Sequence, residues 1–314
     1  MRRLSFLLAL LGVAAAAALV LRFDVGDVWR AMLSIGWSGA ALLLVWQGGL
    51  FCVLGLAWAT VQPEVRARLL IWGRMVRDSA TSCLPFSPVG GFVIGARAVT
   101  LRGPAWTVAA AGTVVDVSVE LTAQMLFAVF GVLVLLLALP GSDLIVPVGV
   151  GVAVALGLLA TAYVQRGRIG AVAGALSWRL LGEQTRREGS FERLGLEMQR
   201  LYARPARLLL AIGIHLCGWF GTGVGTWISL RLLGHPVGPV AVLALEALLD
   251  AVVAVAFVVP GAAGVQEAGY IGLGTAFGVP PEIALSVSLL RRAREVSWGL
   301  PILGLWQWQE VRRL

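Results

Sequence analysis

The chain alternates long, almost unbroken apolar runs with short polar stretches. Runs at 4–21, 37–61, 144–164, 208–233 and 239–259 each come close to the length that lets a helix cross about 30 Å of hydrocarbon. The apolar positions are continuous and do not alternate, so they predict helices and not the strands of a β-barrel. The run 106–139 is too long for one straight crossing. Its part 121–139 would suffice, and the preceding piece, which carries Asp116 and Glu120, is expected to face protein or a cavity.

Two segments break the pattern. The first, DSATSCLPFSPVGGFVIGARAVTLRG at 78–103, is interrupted by Pro85 and by Gly90-Gly91 and leads to Arg97. The second, at 257–298, is broken by Pro260-Gly261 and Gly264. A carboxylate follows at Glu267, and beyond Pro280-Pro281 a helical pattern resumes that carries Arg291, Arg292, Arg294 and Glu295 within apolar sequence. Irregular backbone at membrane depth is tolerated only where protein buries it or where it lines a cavity. Both segments therefore read as re-entrant or broken helices, and whether 265–278 crosses or turns back is left open. Interrupted segments at matching places in two halves point to a site between inverted repeats.

Between the halves, 165–207 is the most hydrophilic stretch. Phe191, Leu194, Met198 and Leu201 recur at helical spacing, with Arg187, Arg193 and Arg200 elsewhere on the wheel. This predicts an amphipathic helix on the inner membrane surface. The predicted fold is all-α: a polytopic membrane bundle of six to eight spans with two Pro/Gly-broken re-entrant segments. It forms one domain over 1–314, with halves at 1–164 and 208–314 and a cytoplasmic connector at 165–207.

Composition agrees. Of 314 residues, 59% are hydrophobic and 13% charged, with mean hydropathy +0.87. Soluble domains average about 25% charged residues. The net charge is +8, carried by arginine alone. Arg2 and Arg3 place the N-terminus in the cytoplasm, and the length of the apolar run behind them reads as an uncleaved first helix. Arg66, Arg68, Arg74 and Arg77 read as a cytoplasmic loop, and the terminal Arg312-Arg313 favours a cytoplasmic C-terminus. With no soluble basic domain, nucleic acid is not an expected partner. Cys52, Cys83 and Cys217 lack metal or disulfide spacing, and neither a metal nor a cofactor is expected.

Charge inside apolar sequence costs roughly 2.5–3.5 kcal/mol per residue on insertion scales, so it marks candidate chemistry. Asp116 and Glu120 stand one helical turn apart, and Glu246 and Asp250 repeat the spacing. Each pair needs an arginine, a cation or a shared proton. The pairs serve either a proton or substrate relay, or a salt bridge to Arg97 or to the 291–294 cluster. Arg291 and Arg292 suit bidentate phosphate binding, or snorkel to an interface. Glu267 lies where a new helix N-terminus offers partial positive charge. His215, in an apolar run, reads as a hydrogen-bonded packing residue. No nucleotide or hydrolase motif is present.

The motif Pro260-Gly261-x-x-Gly264-x-x-Glu267, followed by an intramembrane arginine at 291 or 292, resembles the membrane region of lysylphosphatidylglycerol synthases and related flippase-like proteins. LPFSPVGGFVIGARA at 84–98 is similar to that family's first Pro/Gly-rich segment, and its wording is closest to a branch associated with hopanoid biosynthesis. Many relatives have an acidic residue after the first glycine pair, where Phe92 stands here. The resemblance implies a flippase-like protein of the bacterial inner membrane that binds or translocates a lipid, either an anionic phospholipid or a hopanoid. The alternative is a scaffold for lipid-synthesis enzymes. The synthases' soluble aminoacyl-transferring domain has no counterpart, so no enzymatic activity is expected. A homodimer is left open.

Overall fold

The computed structural model describes residues 33–84, 88–164, 190–255 and 264–312. The first apolar run, Pro85, Pro260, Gly261 and the connector through 189 lie outside them. The described residues form helices α1 (Gly36–Val61), α2 (Ala67–Cys83), α3 (Pro88–Thr100), α4 (Trp106–Ala138), α5 (Ile145–Val164), α6 (Ser190–Tyr202), α7 (Pro205–Leu232), α8 (Pro239–Val255), α9 (Val265–Ala276) and α10 (Pro281–Val311). Three of them, α1, α4 and α7, are each apolar and long enough to cross a membrane. Leucines and valines on their outer faces, such as Val45, Leu133 and Leu209, are exposed, as a lipid-facing surface requires.

Proline and glycine set the boundaries. Leu84 precedes Pro85 and is extended, which ends α2. Prolines open α7, α8 and α10, where a missing N–H costs nothing. Gly278, at φ 79°, turns the chain between α9 and α10. The left-open stretch 265–278 is resolved by length: α9 has 12 residues, or about 18 Å of rise, too short to cross. It packs back along α10. α3, with 13 residues, is its counterpart and packs along α2.

The helices form two equivalent units, α1–α4 and α7–α10. Every major packing pair in one has its counterpart in the other: α1 with α2 and α7 with α8, α2 with α3 and α8 with α9, α3 with α4 and α9 with α10. Between units, α2 meets α10 as α8 meets α4. The equivalent helices α1 and α7 cross antiparallel. Gly39 approaches Leu232, Trp46 donates to the Gly221 carbonyl, and Leu54 approaches Gly218. Equivalent helices that run in opposite senses make the repeat an inverted one, with the crossing near Leu50 and Gly221 at its centre.

Small residues allow these approaches. A Cβ on Gly55 would lie 2.5 Å from the Ile71 Cα, a backbone atom that cannot swing aside. Gly55→Ala is expected to separate α1 from α2 and cost about 1–3 kcal/mol. The reading is a lower melting midpoint of the detergent-solubilised protein. Gly49→Ala, with nothing within 4 Å of the new methyl, should leave the midpoint in place.

One expectation changes. The Leu194, Met198 and Leu201 stripe of α6 is buried against Val61, Ala111, Val115 and Ala211, so its last part serves protein packing and not the membrane surface. Helical periodicity has the same appearance for a lipid surface and for a protein groove. Tyr202 and Ser118 hydrogen-bond at 2.9 Å, and Arg204 and Arg200 hold Glu64 at 2.6 and 3.3 Å. Partial burial works against the Glu64 charge, but the Arg204 hydrogen bond and the two positive charges prevail and hold its carboxyl below the usual range. This clasp is therefore intact at neutral pH and is lost only as pH falls through that lowered value.

Candidate functional site

The intramembrane charges gather into one network per unit. In the first, α2 presents Arg74 and Arg77 on one face, three residues apart, toward Asp116 and Glu120 on α4. Arg77 donates to Asp116 at 3.0 Å and to Glu120 at 2.5 Å. Arg74 donates to Glu120 at 2.5 Å and to Asp78 at 2.7 Å. His215 of α7 bonds Asp116 through Nε2 at 3.0 Å, and Asp116 and His215 are both 0% exposed. This corrects two expectations. Arg74 and Arg77 belong to no cytoplasmic loop: they are buried in a helix. Arg97 is not the partner of the first acidic pair, since it binds Glu310 at 2.6 Å, far along α10. The packing role read for His215 stands. Phe92 places its ring 5.3 Å from the Arg77 guanidinium carbon, so an aromatic face meets the arginine.

In the second network α8 supplies Glu246 and Asp250, and α10 supplies Arg291 and Glu295. Arg291 pairs closely with Glu246, and lies 3.3 Å from both Asp250 and Glu295. Tyr270 of α9 and Thr226 of α7 donate to Glu246 at 2.9 and 2.7 Å. One guanidinium thus serves three carboxylates, and the Asp250 Oδ2 is buried without a hydrogen-bond partner.

The two networks occupy matching positions. Arg74 of α2 and Glu246 of α8 each stand fourteen residues before a proline of the two sequence breaks, Pro88 and Pro260. Asp116 and Arg291 each stand ten residues after the first residue of α4 and α10, and Glu120 and Glu295 fourteen. The sign is exchanged at the first two pairs of positions and kept at the third. Gln124, one turn beyond Glu120, donates to the Asp250 carbonyl at 3.2 Å and joins the networks.

A third element sits at the start of α9. Gly264, at φ 79°, is the N-cap, and its N–H donates to Glu267 at 2.7 Å. The other Glu267 oxygen accepts from Arg292 at 3.0 Å. Glu267 is buried, whereas the Arg292 side chain is 27% exposed. The matching break is marked by Gly91, where a Cβ would meet the Arg77 carbonyl at 2.9 Å. Gly90 lies in the same turn of α3. Among the sequence candidates the structure therefore joins Arg291 to Glu246 and Asp250, and Arg292 to Glu267, while Asp116 and Glu120 form a separate centre. Sequence reasoning missed Arg74, Arg77, Thr226 and Tyr270. The i, i+3 spacing of Arg74 and Arg77 facing an i, i+4 acid pair was the available signal. Among the described residues, no group of three His, Cys, Asp or Glu side chains is arranged to hold a metal.

A family model, the lysylphosphatidylglycerol synthase TM region, matches residues 6–304. The chain belongs to that family. It is a multi-pass membrane protein of a lipid-handling family. No curated protein and no solved structure matches it significantly.

Proposed function

We propose that this member of the family binds and translocates a lipid, phospholipid or hopanoid-type, across the bacterial inner membrane, with its N-terminus in the cytoplasm and without chemistry on the lipid. The observation that carries this reading is the Glu267–Arg292 pair at the start of the half-helix α9. A buried carboxylate there caps a helix and holds an arginine that is partly exposed. An anionic or hydroxylated headgroup can compete for that arginine while Glu267 stays anchored to the Gly264 N–H. The inverted repeat supports the reading, because two such units can rock against each other around a site between them. The scaffold alternative is less favoured, since Leu194, Met198 and Leu201, the stripe a partner would use, are already buried.

The test is lipid scrambling in proteoliposomes loaded with fluorescent phospholipid. Arg292→Ala with Glu267→Ala is expected to slow translocation at least tenfold while the protein stays monodisperse. Equal scrambling by the wild type and the double variant would remove the site from the mechanism.

A further inference from the structure

Asp250 of α8 is the acidic residue that its surroundings serve least. It is 3% exposed. Arg291 donates to its Oδ1 at 3.3 Å, and among the described residues its Oδ2 is buried with no hydrogen-bond partner. Glu246, one turn earlier, accepts from Arg291, Tyr270 and Thr226. Glu295 shares the same guanidinium but is 23% exposed, so water or headgroups solvate it. Among the described residues, the other elements packed on α8 bring no cation into contact with Asp250. α4 offers Gln124, which donates to the Asp250 backbone carbonyl, and Glu120, already held by Arg74 and Arg77. α9 offers Tyr270, and its Glu267 is paired with Arg292. α7 offers Thr226, while its His215 bonds Asp116. α5 has no charged residue. Arg294, one turn beyond Arg291 on α10, adds a positive charge but lies against Gly225 of α7, its Nη1 3.0 Å from where a Cβ would stand. Three carboxylates against Arg291 and Arg294 leave the cluster one charge negative, and one proton makes it neutral. Burying an unpaired charge costs far more than burying a neutral carboxyl, so the proton belongs on Asp250.

The first unit supplies the contrast. Asp78 and Asp250 each stand ten residues before Pro88 and Pro260. Asp78 is 25% exposed and accepts from Arg74 at 2.7 Å and from Arg77 at 3.3 Å, which suits an ionised carboxylate. The repeat thus places one residue type in two environments, and the second calls for a proton. We propose that Asp250 is a proton-binding site whose loading and unloading couple the motion of the two units to a pH difference across the membrane. The coupling rests on the translocation reading above; the bound proton does not. Oδ2 takes the proton from hydronium and returns it to water, and nothing else is consumed. Arg291 and Glu295 connect the site to the surface, since their side chains touch and are 16% and 23% exposed. Parting α10 from α8 opens this edge to water, which stabilises the carboxylate and releases the proton. Buried carboxyls within membrane helices serve proton transfer in other transporters.

The experiment has two arms, both on the full-length protein. The first is infrared difference spectroscopy of a pH titration from mildly acid to alkaline. The wild type is expected to show the carbonyl stretch of a protonated carboxyl at neutral pH, displaced in heavy water and absent from Asp250→Asn. Glu295→Gln, which leaves Arg291 to fewer carboxylates, should move the titration of that band to lower pH, and it serves if Asp250→Asn does not yield folded protein. A wild type without the band, a band that survives in Asp250→Asn, or one that titrates unchanged in Glu295→Gln would overturn the proton site. The second arm is the distribution of fluorescent phospholipid between the leaflets of proteoliposomes under an imposed pH difference. One pH unit can bias a single coupled proton by at most about tenfold. The wild-type distribution should shift with the gradient and reverse when the gradient is reversed, and in Asp250→Asn it should not respond. A wild type that moves lipid but ignores the gradient would overturn the coupling. A wild type that moves no lipid would instead overturn the translocation reading, and the infrared band would still decide the proton site.

Discussion

Replacing Arg77 with leucine is expected to cost the fold about 3–5 kcal/mol, the usual loss when one partner of a buried ion pair is removed. Arg77 is 2% exposed and Asp116 0%. The substitution removes the arginine that donates to Asp116 at 3.0 Å and to Glu120 at 2.5 Å, and leaves the buried Asp116 with His215 and with Arg74 at 3.9 Å. The measurement is the midpoint of heat-induced loss of the monodisperse peak in detergent. Arg97→Leu is the control. Its pair with Glu310 is partly exposed on both sides, so solvent and headgroups screen what remains, and its midpoint should fall much less. Adding Asp116→Asn and Glu120→Gln to Arg77→Leu should restore part of the loss, since the orphaned charges go with it. If Arg77→Leu lowers the midpoint no more than Arg97→Leu, the first network is not a structural centre.

The placement of this network shows what the chain discloses as sequence. The helices were legible because each apolar run must match the bilayer, and the breaks were legible because proline removes a donor and glycine permits φ 79° at Gly264 and Gly278. The acidic pairs were also legible, as i, i+4 spacings that needed compensation. Their partners were not. Arginines near an apolar boundary look the same whether they mark a cytoplasmic loop or enter a helix, so Arg74 and Arg77 were read outward while their carboxylates, about forty residues on, waited inside. Arg97 and Glu310 meet across most of the chain, and only the tertiary fold decides such a pairing. The exchange of sign between the units was hidden for the same reason. It appears only when the two units are aligned with each other.

That exchange leads to the second large effect. Glu246→Arg and Arg291→Glu should each destabilise the protein by about 3–5 kcal/mol or more, because each breaks a buried pair and adds a like charge to it. Arg291→Glu sets a fourth carboxylate against Glu246, Asp250 and Glu295, and Glu246→Arg sets a second guanidinium against Arg291. The double substitution should be milder than the sum of the two by well over the 0.5 kcal/mol expected of independent sites. The first unit already shows that these two positions accept the reversed polarity, with Arg74 on the hairpin helix and Asp116 on the long one, 3.9 Å apart. Recovery should be incomplete, for a reason local to the second unit: Tyr270 and Thr226 donate to the Glu246 carboxylate and would then face a donor. Tyr270→Phe should accordingly cost more in the wild type than in the reversed background. A double variant whose midpoint loss equals the sum of the singles would mean that the matched positions are coincidence and that the pair works through contacts the first unit lacks.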